Sequence, residues 1–284
     1  MKSKISFFLM LGLLAIGFQG CLKDTCKTTR RYIQFTPIYK TLDEIRKEIK
    51  IEGPRTLENP GKLYFYGDYI LINEIKEGIH IIDNSDPKQP KNLSFIGIPG
   101  NVDLAAKNGR LYVDNYIDLL TLDISNPTAP KLVTRTEEVF EGIDLHQDLG
   151  YLVEWQQEEK SMEIDCNHPN WNRGFFFDDG LLWAEADLAV SGVRFASTSN
   201  GGSVDFNTPV GAGTGGSLAR FTIVDQLLYT VDQFNLRIFD IADCDNPSFE
   251  NLVNIGWGVE TIFPYEESLF IGAEHGMYIF DNAV

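Results

Sequence analysis

The chain has 284 residues, with 24 Lys and Arg against 41 Asp and Glu, for a net charge of −17. So acidic a surface repels phosphate backbones, which argues against nucleic acid as a primary partner. A hydrophobic content of 43% and an aromatic content of 12% exclude a disordered polymer, and four cysteines are too few for a disulfide scaffold.

In chain order, the first feature is an address. Lys2 and Lys4 precede an uncharged apolar run, Ile5 to Phe18, which ends at Gln19, Gly20 and Cys21. A basic start, a short apolar stretch and a small residue before the cut describe a secretory signal over residues 1–20. The run falls short of the ~20 residues that span a bilayer as a permanent helix. Phe18-Gln19-Gly20-Cys21 resembles a bacterial lipobox, although Phe18 and Gln19 stand where Leu and a small residue are usual. The resemblance implies that Cys21 is lipidated and becomes the mature N-terminus. Acyl chains would then hold the protein to the membrane, at about 0.8 kcal/mol per buried methylene. The alternative is a plain signal peptide, with Cys21 incidental or paired with Cys26. Removing residues 1–20 takes away two lysines and no acids, so the mature chain carries −19.

Residues 21–61 read as a tether. Leu42, Ile45 and Ile49 recur at helical spacing within Leu42 to Ile51, which predicts one short helix. Arg31 to Ile38 (RYIQFTPI) reads as a strand that could complete a blade elsewhere.

From residue 62 onward a twenty-residue block recurs. It reads YFYGDYILINEIKEGIHIID at 64–83 and LAAKNGRLYVDNYIDLLTLD at 104–123. It returns as FTIVDQLLYTVDQFNLRIFD at 221–240 and IFPYEESLFIGAEHGMYIFD at 262–281. The eighth position is Leu71, Leu111, Leu228 and Leu269. The last is Asp83, Asp123, Asp240 and Asp281. A looser copy, two residues longer, occupies 144–165 and ends at Asp165. Asp83-Asn-Ser-Asp-Pro87 and Asp123-Ile-Ser-Asn-Pro127 follow the pattern of strand-ending turns, because an Asp or Asn side chain can bond the backbone two residues on. Calcium held by turn oxygens is the weaker alternative, since too few carboxylates converge.

Each unit reads as four short strands. In the second these are roughly 101–107, 110–116, 119–124 and 131–139. Four strands per 40 residues is the arithmetic of a β-propeller blade. The fold expected is all-β: a propeller of about 40-residue, four-stranded blades. Five repeat units are counted, the last incomplete because the chain stops inside a turn motif, and one short N-terminal helix precedes them.

Ile79-His-Ile-Ile-Asp83, Leu119-Leu-Thr-Leu-Asp123 and Leu236-Arg-Ile-Phe-Asp240, with Asp-x-Ser-x-Pro behind, resemble the LVIVD repeat. That family comprises secreted propeller-like proteins, and the chain is similar to its Bacteroidetes-type lipoproteins over about 62–284. The resemblance implies the fold and a cell-envelope location, most naturally the outer membrane. It implies no catalytic residue, since propellers host many functions.

An insertion at about 170–216 interrupts the repeats. Its first part is aromatic and acidic, including Trp171, Asp178, Asp179 and Trp183 beside His168. Its second part is rich in Gly, Ser and Thr. Long loops on a rigid scaffold commonly carry binding, so these five residues form the candidate loop for a ligand or partner. The plain alternative is a decorated blade edge. Gly211-Ala-Gly213-Thr-Gly215-Gly216 matches a dinucleotide fingerprint, but it follows a loop and precedes a strand, so nucleotide is not a partner.

No metal site is expected: His80, His146, His168 and His275 form no ligand pair, and there is no C-x-x-C. Nucleophile motifs are absent as well. Cys166 and Cys244 lie in turns of neighbouring units and form a candidate disulfide, two free thiols being the other reading. The function expected is a lipid-anchored binding or scaffold module for a protein or glycan, with no cofactor. The alternative is an envelope enzyme acting on a polysaccharide at the propeller face. Clustered carboxylates with raised pKa values would favour the enzyme.

Overall fold

A computed structural model describes residues 27–47, 49–140, 145–165, 167, 175–178, 181–185, 219–232 and 234–282. The signal segment, Cys21 and Cys26 lie outside them. No helix among the described residues is long and apolar enough to cross a membrane.

The chain opens with β1 (Lys27–Lys40), α1 (Leu42–Ile45) and β2 (Lys50–Glu52). A first group of strands follows: β3 (Pro60–Tyr66), β4 (Tyr69–Glu74), β5 (Gly78–Asp83) and β6 (Lys91–Gly97). The second group is β7 (Leu104–Lys107), β8 (Arg110–Asn115), β9 (Asp118–Asp123) and β10 (Lys131–Thr136). Then come β11 (Leu145–His146), β12 (Gly150–Asp165), β13 (Phe175–Asp178) and β14 (Leu181–Glu185). The third group is β15 (Phe221–Val224), β16 (Leu227–Val231), β17 (Asn235–Asp240) and β18 (Ser248–Asn254). The last is β19 (Val259–Tyr265), β20 (Ser268–Ala273) and β21 (Gly276–Asp281).

The chain divides into two compact units, Met1–Thr36 with Gln157–Gly192 and Pro37–Gln156 with Val193–Val284. The second, larger unit holds the four groups as separate antiparallel meanders, β3–β6, β7–β10, β15–β18 and β19–β21, with β2 added at the outer edge of β6. The first strands stand in a row, β3 beside β7, β7 beside β15 and β15 beside β19. Apolar residues fill the gaps between successive sheets. Leu71, Ile79 and Ile81 meet Leu104, Leu111 and Leu122. Tyr112 and Leu119 meet Phe221, Leu228 and Phe239. Tyr229 and Leu236 meet Ile262, Leu269 and Ile271. Small sheets packed face to face, first strands innermost, make a propeller-like row.

The second group matches its expected strands to within about three residues at each end. The strand-ending turns also form as expected. The carboxylates of Asp83, Asp123 and Asp240 accept from the amides of Ser85, Ser125 and Ala242 at 2.9, 2.8 and 2.7 Å. Among the described residues no group of three or more His, Cys, Asp or Glu side chains gathers as a metal site would require.

Three features differ from the sequence reading. Leu71 is not the structural counterpart of the other repeat leucines. In all four sheets the terminal Asp pairs with the first residue of the second strand, as Asp83 does with Tyr69 and Asp123 with Arg110. Fifteen residues run from Tyr69 to Asp83, where fourteen run from Arg110 to Asp123, from Leu227 to Asp240 and from Ser268 to Asp281. The extra residue makes Leu71 pair with Ile81, whereas Leu111, Leu228 and Leu269 pair with Leu122, Phe239 and Phe280. A one-residue slip moves a side chain to the other sheet face. Leu71 therefore points toward the second sheet, and Ile70 takes the place that Leu111 holds in its own.

The looser copy at 144–165 is not a four-stranded unit. Gln156-Gln157-Glu158-Glu159 stands where the repeat needs a hairpin turn, and no Gly, Pro or Asn breaks the strand, so β12 runs on for 16 residues. It joins the sheet ordered β11-β12-β1-β14-β13. In the smaller unit Lys27 reaches Glu163 at 2.6 Å and Arg31 reaches Glu159 at 3.3 Å. The strand expected at Arg31 to Ile38 lies within β1, but it pairs with β14 (Tyr32 with Glu185, Gln34 with Trp183) and not with the last group.

The helix is shorter than Leu42 to Ile51. A capping box between Thr41 and Glu44 starts α1, which ends after one turn. Ile51 then pairs with Ile96 as part of β2, where β-branched residues fit better.

Candidate functional site

Hydrogen bonding gives the larger unit two distinct ends. One carries the turns that follow each terminal Asp, together with residues 67–68, 108–109, 225–226 and 266–267. These loops hold Asp, Asn, Pro and Gly but no aromatic residue. The other end carries the starts of the first strands and the segments 75–77, 98–103, 116–117, 137–140, 232–234, 255–258 and 274–275. Its segments are tied to one another: Lys76 N donates to Asn101 O, Gly100 N to Lys76 O, Phe140 N to Ile117 O, Ile255 N to Phe234 O and Glu274 N to Gly258 O.

The aromatic loop residues Tyr116, Phe140, Phe234 and Trp257 all lie at this second end. Trp257 is 37% exposed, with the His275 ring 5.9 Å away. Tyr116 sits over Gly100, whose positive φ of 76° suits glycine and whose missing Cβ leaves room for the ring. Lys40 Nζ lies 5.3 Å from the Tyr116 ring centre. Phe140 packs on Phe221 at 5.7 Å.

Beneath these loops lies a polar centre. Lys62 Nζ is 2.8 Å from Asp103 Oδ1 and donates to the carbonyls of Leu104 and Phe221 at 2.9 and 3.0 Å. Asp103 also accepts from the Leu104 amide at 2.6 Å, from the Phe221 amide at 2.8 Å and from the Arg220 amide. Asn73 Nδ2 donates to Asn101 Oδ1 at 2.6 Å. Asn101 Nδ2 and the Val102 and Asp103 amides donate to Asp114 Oδ1 at 2.8, 2.9 and 3.0 Å. Burial pushes the Asp103 carboxyl up despite Lys62, and it pushes Asp114 up to about 6.

Two carboxylates with raised pKa values are what an acid/base site would show. Their partners decide otherwise. A carboxylate offers about four lone-pair positions, and Asp103 fills them with Lys62 and three backbone amides. It is spent on fixing where β7 and β15 begin, so among the described residues Asp103 is not free to complete a general acid/base pair with Asp114.

Two further buried clusters hold the sheets. His80 Nε2 lies 2.6 Å from Glu74 Oε2, and Glu74 accepts from the amides of Glu58 and Asn59. Burial pushes the Glu74 carboxyl up, but these bonds outweigh it and hold the group below its ordinary value. Asp118 accepts from Arg46 at 2.9 and 3.2 Å, from Arg135 at 2.8 Å and from the Glu138 amide at 2.9 Å, which fastens α1 to the second sheet.

Of the residues singled out from sequence, Trp183 is half-buried on β14, packed with Tyr32 and Ile164 in the smaller unit's core. Asp178 ends β13, where it pairs with Leu181 of β14. His168, Trp171 and Asp179 lie outside the described residues, as does Cys166. Cys244 is a half-buried thiol in the turn after β17. His146 stands edge-on to Tyr39, ring centres 5.5 Å apart. The aromatic end was not singled out in the sequence, because its residues sit in loops far apart along the chain and only the meander topology gathers them.

Residues 102–137 match the LVIVD repeat model, so the resemblance read in the sequence holds for the second group of strands, β7–β10. The fold is similar to that of a Lactobacillus plantarum protein, at 14% identity and a TM-score of 0.43, covering 87% of this chain and 60% of that one. It is also similar to the computationally designed Ika4 protein, at 9% identity and a TM-score of 0.39, covering 80% and 96%. A third similar structure is Kluyveromyces lactis Hsv2, at 12% identity and a TM-score of 0.33, covering 81% and 64%. The chain thus spans less than two thirds of the Lactobacillus and Kluyveromyces chains. No curated protein matches.

Proposed function

We propose that this chain is a lipid-anchored module of the cell envelope that binds a glycan at the aromatic end of its row of sheets. The observation that carries the reading is the distribution of aromatic loop residues. Tyr116, Phe140, Phe234 and Trp257 all lie at one end, and the loops of the other end have none. Aromatic faces stack on sugar rings and supply rigid contact area at low entropic cost. The hydrogen-bonded polar centre beneath them makes a fixed floor, suited to binding rather than to bond cleavage. Lipid on Cys21 supplies the tether, and the chain's acidity leaves no basic patch to do so.

The test is a binding screen of the purified chain against an array of envelope glycans, with Trp257→Ala and a chain lacking residues 170–216 beside it. Binding that falls about tenfold in Trp257→Ala and survives the deletion supports the aromatic end. Binding lost only in the deletion assigns the insertion instead. Binding absent from every glycan, alongside capture of a protein from envelope extract, replaces the glycan with a protein partner. Cys21→Ser should release the protein from the membrane fraction.

A further inference from the structure

The rings at the aromatic end follow the row of sheets. Tyr116 stands in the turn between the second and third strands of the second sheet, Phe234 in the same turn of the third sheet and His275 in that of the last. Phe140 stands in the segment that leaves the second sheet, and Trp257 in the segment that leads from the third sheet to the last. Backbone bonds tie each of these segments to the turn beside it. Phe140 N donates to Ile117 O at 2.9 Å, Ile255 N and Gly256 N donate to Phe234 O at 2.8 and 3.2 Å, and Glu274 N donates to Gly258 O at 2.9 Å. Phe140 reaches the third sheet through Phe221, and Trp257 reaches the last through the His275 ring. Gly256 and Gly258 flank Trp257 with φ of 107° and 85°, so the backbone bends sharply on both sides of the exposed ring. The first sheet adds no ring, since its segments at this end are Ile75-Lys76-Glu77 and 98–103.

Spacing decides what such a row can hold. Sheets packed face to face lie roughly 10 Å apart, about the length of a disaccharide. Two such steps separate the Tyr116 turn from the His275 turn. A single sugar covers one ring and leaves the others to water, whereas an extended chain of about four to six sugars meets a ring over each sheet. A pyranose with equatorial substituents turns a face of C–H bonds to an aromatic ring, and a β-linked chain of such sugars repeats that face along its length. Charge narrows the class further. The segments of this end hold six acids against one basic residue, Lys76, and Glu77, Glu137, Glu138 and Glu274 are exposed. A polyanionic glycan would meet like charge there.

Taking this end as the glycan site proposed above, we infer that its ligand is the interior of a neutral, linear, β-linked glycan, lying along the row across the second, third and last sheets. The backbone bonds that fix the loops before binding keep the cost of ordering them low.

Isothermal titration calorimetry of the purified chain tests this, with chito-oligosaccharides and cello-oligosaccharides of one, two, four and six sugars and a six-sugar oligogalacturonate beside them. In at least one neutral series, affinity should rise about tenfold or more from two sugars to six. The oligogalacturonate should bind about tenfold or more weakly than the neutral chain of its length. Trp257→Ala and Tyr116→Leu should each weaken the six-sugar complex about tenfold, with the circular dichroism of the parent retained. Leucine keeps an apolar side chain over Gly100 without a stacking face, and the length series needs no variant at all. A single sugar that binds as tightly as six overturns the chain and leaves the glycan reading standing, as does a six-sugar complex that Tyr116→Leu does not weaken. Tighter binding of the oligogalacturonate overturns the neutral class. If neither neutral series binds at any length this ligand is wrong, while the glycan reading is decided separately by the array of envelope glycans.

Discussion

Lys62 and Asp103 form a buried ion pair, 2.8 Å between Nζ and Oδ1, at the point where three first strands begin. Lys62 belongs to β3, Asp103 precedes β7, and the carbonyl and amide of Phe221 bring β15 to the same pair. Replacing Lys62 by Met leaves Asp103 buried without its counter-charge, which typically costs about 3–5 kcal/mol. For a chain of this size that is a fall in Tm of roughly 10 °C. Thermal unfolding of Lys62→Met, measured against a surface variant such as Lys88→Met, checks it. A change below about 1 kcal/mol would show that the pair is not the fastener of the row.

Asp114 gives the fold a pH dependence of unusual sign. Its carboxyl titrates near 6 in the folded chain, above its ordinary value of 3.8, because burial disfavours the charge. The folded state therefore binds the proton more tightly than the unfolded state between those values, and the contribution to stability falls as pH rises from about 4 to about 6. Asp118 and Glu74 act in the opposite sense, since their folded pKa values are depressed and their contributions are lost on acidification. Asp114→Asn keeps an oxygen for the three donors and removes the charge. It should stabilise the protein at pH 7 by about 1–2 kcal/mol, allowing for partial exposure, and have little effect at pH 4. Urea unfolding at both pH values reads the difference directly. A variant equally or more destabilised at pH 7 than at pH 4 would contradict this account.

A tyrosine at one repeat position ties its sheet to the next in two places. Tyr112 OH donates to the Cys244 carbonyl at 3.0 Å, and Tyr229 OH, at the same repeat position one sheet on, donates to Asn282 Oδ1 at 2.5 Å. Each joins a sheet to the turn of the next. Tyr112→Phe and Tyr229→Phe should each cost about 1 kcal/mol, and the double variant should cost the sum, because the two sites share no partner. Denaturant midpoints of the three variants test this, and marked non-additivity would mean that the sheets do not act as independent neighbours.

These bonds show what the sequence made legible and what it did not. The Asp at each strand end and the apolar alternation before it determine a local hairpin, so the second group could be read nearly strand by strand. Which sheet neighbours which is a long-range matter. The second sheet meets the third although the intervening chain contains β12, whose Gln-Gln-Glu-Glu run resembles a repeat in length but lacks a turn. Leu71 misled for a related reason. A three-residue turn at 75–77 looks like an aligned repeat in the sequence, and its effect is visible only in the pairing with Ile81. The aromatic end was hidden because each of its residues is alone in its own loop.

The glycine that closes that longer turn offers a sharp comparison. Gly78 and Gly276 both open the third strand of their sheets with positive φ, 144° and 146°. A Cβ on Gly276 would meet nothing within 4 Å, whereas one on Gly78 would lie 1.9 Å from the Ile96 carbonyl oxygen. Gly276→Ala therefore carries only the backbone cost, about 1 kcal/mol. Gly78→Ala must in addition push β6 away from β5, which places it among the severe substitutions at about 4 kcal/mol or more. Because Gly78 pairs with Glu74, that displacement would also strain the Glu74–His80 contact across the turn. Chemical denaturation of the two variants decides the matter. If both lose the same small amount, the close approach of β5 to β6 at Gly78 is not what holds the extra residue in the turn, and the slip of Leu71 must be fixed by its packing against the second sheet alone.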